Sequence, residues 1–140
     1  MGSRVLKSLV YFADDRGESL FDLFPETIGV GQVNVSRIDK GVVKAFHLHR
    51  NQNDYVICLS GRFRLLTAAE DGTDFNEHIL SSRNPQVIEI DKDTYHGYQA
   101  LEENSVILYY CDNRYDMDNP DEYRGSWEMF GKEVWDINYK

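Results

Sequence analysis

Two of the chain's four histidines, His47 and His49, stand two positions apart between Gly41 and Gly61, and Asp54 follows five residues after the second. Residues at i and i+2 of an extended strand share a face. Both imidazoles, with Ala45, are therefore predicted to look one way while Lys44, Phe46 and Leu48 look the other. Asp54 opens the next candidate strand and His96 a later one. If those strands close around a small barrel, three histidines and one carboxylate meet in a single pocket. Such a set can hold a divalent transition metal, or it can move protons, because imidazole titrates near neutral pH. Simple hydrogen bonding of one or two of these histidines within the strands is the third reading.

The elements that must carry these residues read as short strands: Val42 to His49, Tyr55 to Leu59, Arg62 to Thr67, His78 to Leu80, Gln86 to Ile90, Tyr95 to Leu101 and Val106 to Cys111. Turn-forming residues separate them, at Ser60-Gly61, Glu70-Asp71-Gly72, Ser81 to Pro85, Asp91-Lys92-Asp93 and Glu102-Glu103-Asn104. Closely spaced short strands of this kind predict an all-β sandwich or barrel. Alternation places Phe63 and Leu65 on one face with Arg62 and Arg64 on the other, and sets Val87 against Ile88 and Ile90. Tyr109 and Tyr110 must also look in opposite directions. Val5 to Phe12 reads as a strand with nothing local to pair against, and Asp121 to Trp127 as a turn or two of helix broken at Gly125.

A chain of 140 residues is expected to form one domain, 1–140. From Asp112 onward acidic residues mix with Tyr115, Tyr123, Trp127, Phe130 and Trp135. Large aromatics seldom stay exposed, so 112–140 is predicted to lie as a strap over the barrel or across a subunit interface. The net charge of −9 argues against a nucleic-acid partner. No apolar run is long enough to cross a bilayer and the N-terminus has no signal-peptide segment, so no membrane contact and a cytoplasmic location are expected. Cys58 and Cys111 sit in apolar runs and read as buried thiols rather than a disulfide. Between Gly41 and Arg64 the charge runs the other way, with Lys44, Arg50, Arg62 and Arg64 against Asp54 alone. A positive patch on an acidic protein can attract a small anion, and the alternative is a set of solvated strand-edge charges.

The pattern Gly41, His47-x-His49, Asp54, Gly61 resembles the first signature of the cupin superfamily, with aspartate in place of the usual glutamate. Asp91-Lys92-Asp93-Thr94-Tyr95-His96 keeps part of the second. Within the superfamily the chain is similar to dTDP-4-dehydrorhamnose 3,5-epimerases and dTDP-4-oxo-6-deoxyglucose 3,4-ketoisomerases. That likeness runs from Asp15-Arg16-Gly17 through Gln32-Val-Asn34-Val-Ser36, His47 and His96-Gly97-Tyr98 to Tyr109, Asn113-Arg-Tyr115, Pro120 and Trp127. It implies a double-stranded β-helix, the cupin jelly-roll barrel, with an internal site. It implies His47 as the base that removes a proton beside a 4-keto group, and Tyr109 or Tyr115 as the acid that returns one to the opposite face. His49 or His96 would donate to the oxyanion, and Gln32 and Asn34 would meet the substrate, the alternative for that pair being a polar surface strand. The histidine at 49 is like the ketoisomerases; the tyrosine-rich tail is like the epimerases.

Departures from the families fall on the phosphate contacts. Lys44 stands where the epimerases carry an arginine, and Asp54 where they carry a lysine, with Arg62 and Arg64 the nearby cations able to compensate. Asp22 is the nearest counterpart of a displaced glutamate. The resemblance thus implies a metal-independent epimerase or isomerase, with no cofactor, acting on a nucleotide-linked (dTDP) 4-keto-6-deoxysugar. Two alternatives stand beside it: a metal-dependent cupin enzyme with His47, His49, Asp54 and His96 around one divalent Fe, Mn, Ni or Zn ion, and a non-catalytic sugar-binding cupin. A homodimer formed by exchange of the N-terminal strand is the expected assembly.

Overall fold

The computed structural model describes residues 2–15, 17–21, 23–24 and 31–137. Arg16 and Asp22 lie outside them. The strands are β1 (Ser3–Ser8), β2 (Val10–Asp14), β3 (Gly17–Phe21), β4 (Gln32–Ile38), β5 (Val43–Leu48), β6 (Asp54–Ser60), β7 (Arg62–Ala69), β8 (Asn76–Ser81), β9 (Gln86–Ile90), β10 (Thr94–Ala100), β11 (Ser105–Cys111) and β12 (Tyr123–Arg124), followed by a 3-10 turn at Lys132–Trp135. They build two five-stranded antiparallel sheets, ordered β1-β9-β6-β11-β4 and β12-β5-β10-β7-β8, with β2 and β3 paired as a hairpin. This is the cupin-type jelly-roll barrel.

The barrel closes because each strand offers an apolar inner row. Ile38, Val56, Cys58, Phe63, Leu65, Ile88, Ile90, Tyr98, Ala100 and Ile107 pack together between the sheets. Along β10 and β11 the inner row changes character within one strand, from Ala100 to Tyr98 to His96 and from Ile107 to Tyr109 to Cys111. One end of the barrel is thereby a packed core, and the other is a polar cleft built on the same frame.

Both sheets are also covered on their outer faces, which the alternation of β7 does not predict. Tyr55, Ile57, Val87 and Tyr110 are packed with Leu9, Leu23 and Phe24, while Phe46 and Leu66 lie under Trp135 and Phe130. A strand covered on both faces reads as a continuous run rather than an alternating one, and all six residues from Phe63 to Ala68 are buried. Two further expectations are corrected. The N-terminal segment read as one strand, Val5 to Phe12, is two, of which β1 pairs antiparallel with β9 and β2 with β3. The segment read as helix is extended: Tyr123 and Arg124 pair with Leu48 and His47, and Phe46 and Gly125 exchange backbone hydrogen bonds of 3.1 and 2.9 Å.

The glycines bracketing the histidine segment are there for the backbone. Gly41 turns into β5 at φ +85° and Gly61 links β6 to β7 at φ +71°, where a side chain is strained. A Cβ on Gly61 would also stand 2.3 Å from the Ser105 hydroxyl.

Candidate active site

The cleft at the polar end has a volume of about 650 Å³. One wall comes from β5 and β10, with Lys44, His47, His96 and Tyr98 and with His49 just past the end of β5; the other comes from β4, β6 and β11, with Gln32, Asn34, Ser36, Asp54, Tyr109 and Cys111. The C-terminal segment closes the rim with Arg114, Tyr115, Asp121, Glu122, Arg124 and Trp127. Gln32, Asn34 and Ser36 alternate with exposed Val33 and Val35, so the polar row of this edge strand is the inner one.

His47 pairs with His96 across β5 and β10, but the next matched pair is Lys44 with Tyr98. Three residues of β5 thus span two of β10, and the irregularity turns Lys44 into the cleft that simple alternation would deny it. The other two cations named in the sequence lie elsewhere. Arg62 Nε binds Glu102 at 2.8 Å, and Arg64 is buried beneath the C-terminal segment, donating to the Gln99 side-chain carbonyl at 2.9 Å. Neither reaches the cleft. Arg64, Leu66 and Ala68 on the outer face of β7 are covered by chain rather than open to ligand, and the cations that do line the cleft with Lys44 are Arg114 and Arg124. No periodic signal marks either of those two.

Glu122 is the cleft residue beside His47 that the sequence hid. Its Oε1 stands 3.0 Å from Nδ1 of His47, a close contact rather than an aligned hydrogen bond, since that buried nitrogen has no aligned partner. Burial lowers the pKa of His47, which the charge of Arg124 reinforces and that of Glu122 opposes. The ring is consequently held neutral and able to accept a proton. Burial pushes the Glu122 carboxyl up, but the Arg124 guanidinium and His47 outweigh it and the group titrates below its usual range. An anion is therefore in place beside the ring, an arrangement able to stabilise an imidazolium formed at His47.

Tyr109 lies on the facing sheet, half-buried, with its pKa raised by burial against a hydrogen bond to Ser36. Its hydroxyl stays protonated and able to donate. Tyr110, one residue on, packs outside against Phe24 and Tyr55 with ring centroids 5.3 and 6.0 Å away. Tyr115 is largely exposed at the rim, tied by its backbone N–H to Gln32 Oε1 at 3.0 Å.

Deeper in the cleft His49, Asp54 and His96 form a separate group. Asp54 Oδ2 is 3.6 Å from His49 Nε2 and 3.5 Å from His96 Nε2, while Gln52 Nε2 donates to Oδ1 at 2.8 Å. Desolvation drives the His96 pKa down to about 4, against the pull of Asp54, so that ring is neutral. The Cys111 thiol is held up by burial and by the carboxylate beside it. The four residues of the metal alternative are thus not equivalent. Three converge on one point, whereas His47 is turned toward Glu122.

Residues 32–135 match the family described as FdtA: WxcM-like, C-terminal. The spore coat polysaccharide biosynthesis protein SpsL of Bacillus subtilis is 32% identical over 138 residues, 88% of this chain and 87% of that one. A dTDP-4-dehydrorhamnose 3,5-epimerase of Mycobacterium tuberculosis is 29% identical over 97 residues, covering 64% of this chain but 48% of the relative, so the match spans about half of that longer protein. The crystal structure of a dTDP sugar isomerase from Desulfovibrio desulfuricans has the same fold at a TM-score of 0.81 and 15% identity, over 96% of this chain and 90% of that one. Taken with the cleft, these matches mean that the chain belongs to the FdtA-like family of sugar-nucleotide epimerases and isomerases.

Proposed function

We propose that the protein epimerises or isomerises a nucleotide-linked 4-keto-6-deoxysugar by removing a proton next to the keto group. The observation that carries this reading is the placement of His47 and Tyr109 on facing sheets across one cleft. Nε2 of His47 takes the C3 proton, and the electron pair moves onto the carbonyl oxygen as an enolate. Tyr109 then gives its hydroxyl proton to the opposite face of the same carbon, after which the phenolate is reprotonated from solvent and the His47 imidazolium releases its proton to solvent. Such a reaction interconverts isomers and needs no redox partner. Lys44, Arg114 and Arg124 supply positive charge for the diphosphate, and Gln32, Asn34 and Tyr115 polar contacts for the sugar and base. The dTDP form of the carrier is supported by the activity named for the Mycobacterium tuberculosis relative. A cytoplasmic location is supported by the two buried free thiols, and a homodimer by exposed Val33 and Val35 on the end strand β4.

The test is solvent exchange. Incubated in deuterated water with a dTDP-4-keto-6-deoxysugar, the enzyme should place deuterium at C3, read by NMR or mass spectrometry. Tight binding of such sugars with no exchange into any of them would overturn the enzymatic reading in favour of a binding module. The Tyr109→Phe variant separates the two proton steps. It should still exchange C3 with solvent from the His47 side, while formation of the inverted product drops by about 10²-fold or more. Equal losses of exchange and inversion would place the acid elsewhere, with Tyr115 the next candidate.

A further inference from the structure

We infer that Asp121 is a positioning residue for the proposed base: its carboxylate sets the register of β12 on β5 and so keeps Glu122 against His47. The inference rests on the epimerase reading for the role of His47 and deepens it. β12 is only two residues long, with Tyr123 opposite Leu48 and Arg124 opposite His47. So short a ladder holds its register weakly, and a slip of one residue turns every side chain of the segment to the other face. Glu122 would then leave the cleft. Contacts on either side of it prevent the slip. On one side Phe46 and Gly125 exchange backbone hydrogen bonds of 3.1 and 2.9 Å. On the other, the two carboxylate oxygens of Asp121 accept the backbone N–H groups of Arg50 and Asn51, at 2.9 and 2.8 Å.

Successive N–H groups of a turn make a small anion-binding concavity, and here the chain's own carboxylate fills it with two charge-assisted bonds. The turn that receives Asp121 is itself fixed. Arg50 donates to both carboxylate oxygens of Glu70 at 2.7 Å and to Asp93 at 3.0 Å, and the Asp93 N–H donates to the His49 carbonyl at 2.7 Å. The Tyr123 ring lies 5.3 Å from the same guanidinium. Asp121 and Tyr123 therefore both face the turn. Alternate residues of an extended segment face opposite ways, so Glu122 and Arg124 are directed into the cleft that they line. Both Asp121 oxygens are engaged by the turn, and the residue acts on His47 through Glu122. Asp116 supplies the contrast, because its carboxylate accepts the N–H of Asp118 at 3.0 Å, within its own turn.

The experiment compares Asp121→Ala with the parent in the full chain, both shown to be folded by circular dichroism, through two readouts. The first needs no sugar: by amide hydrogen exchange and mass spectrometry, residues 121–125 should lose protection by about 10-fold or more, while β7 and β10 stay within about 2-fold. The second is the initial rate of C3 deuterium uptake at saturating sugar nucleotide, which should fall by about 10-fold, as in Glu122→Gln. The Asp121→Ala/Glu122→Gln double variant should stay within about 3-fold of the slower single variant, where independent effects would multiply to about 100-fold. Asp121→Asn keeps one acceptor oxygen and should fall between the parent and Asp121→Ala; it carries both readouts if the alanine variant does not fold. Asp116→Ala should match the parent rate to within about 2-fold. Unchanged protection of 121–125, a parent rate of C3 uptake in folded Asp121→Ala, or losses that multiply in the double variant would each overturn the inference. A parent protein that exchanges no sugar rejects the epimerase reading alone, and the amide readout then decides by itself whether Asp121 holds the register.

Discussion

Exchange of the C3 proton is expected to fall by about 10²- to 10⁴-fold when His47 is replaced by asparagine, the range over which a positioned general base contributes. Asparagine keeps much of the size and polarity of imidazole but cannot accept a proton at neutral pH. His47 is singled out by its surroundings rather than by its type. His49 has Nδ1 committed to the Asp121 carbonyl and Nε2 facing Asp54, and His96 is buried between Asp54 and Thr94. His47 alone of the three has a carboxylate, Glu122, behind Nδ1, and its lowered pKa keeps it unprotonated. Glu122→Gln should therefore slow exchange too, by about 10-fold, since it removes the charge that stabilises the imidazolium but leaves the base. The measurement is the initial rate of deuterium uptake at saturating sugar nucleotide. If His47→Asn keeps more than about a tenth of the parent rate, the base lies elsewhere, and His49 is next in line.

The strand ladder was legible because each strand is bounded by turn formers and each inner row is apolar. β9 was read to the residue, and β5, β6, β7, β10 and β11 to within one or two positions. β4 escaped notice as an element of the barrel because its inner row is polar: Gln32, Asn34 and Ser36 face a cleft instead of a core. Only the family resemblance drew attention to Gln32 and Asn34. What stayed hidden depends on distant chain. The partner of β1 lies 78 to 87 residues away in β9, beyond the reach of any local pattern. Arg64 alternates correctly onto the outer face of β7, yet that face is roofed by the segment around Val134, whose carbonyl is 3.4 Å from its guanidinium. Glu122 sits in an acidic stretch with no periodicity, and what gives it a role is the pairing of Tyr123 and Arg124 with β5.

That same pairing makes Phe46 the residue whose loss should cost most in stability. Phe46 is fully buried on the opposite side of β5 from the histidines, with Phe130 edge-on at 4.9 Å between centroids and Trp135 tilted at 5.4 Å. Truncating a buried phenylalanine costs about 3–5 kcal/mol, through lost transfer energy and the cavity left behind. Phe46→Ala should lose that amount in urea denaturation, read from the midpoint at an unchanged slope. Phe75→Ala is the control. It also touches Phe130, at 6.0 Å, but is 41% exposed, and should lose only about 1 kcal/mol. A further consequence distinguishes this site from an ordinary core position. Phe46 exchanges backbone hydrogen bonds with Gly125 and anchors the aromatic cluster of the C-terminal segment, the segment that sets Glu122 behind His47 and the Asp121 carbonyl behind His49. Under conditions where Phe46→Ala is still folded, loosening this segment should slow deuterium exchange at least as much as Glu122→Gln does. A variant that lost its stability but exchanged C3 at the parent rate would mean that Glu122 is held in place without the aromatic anchor.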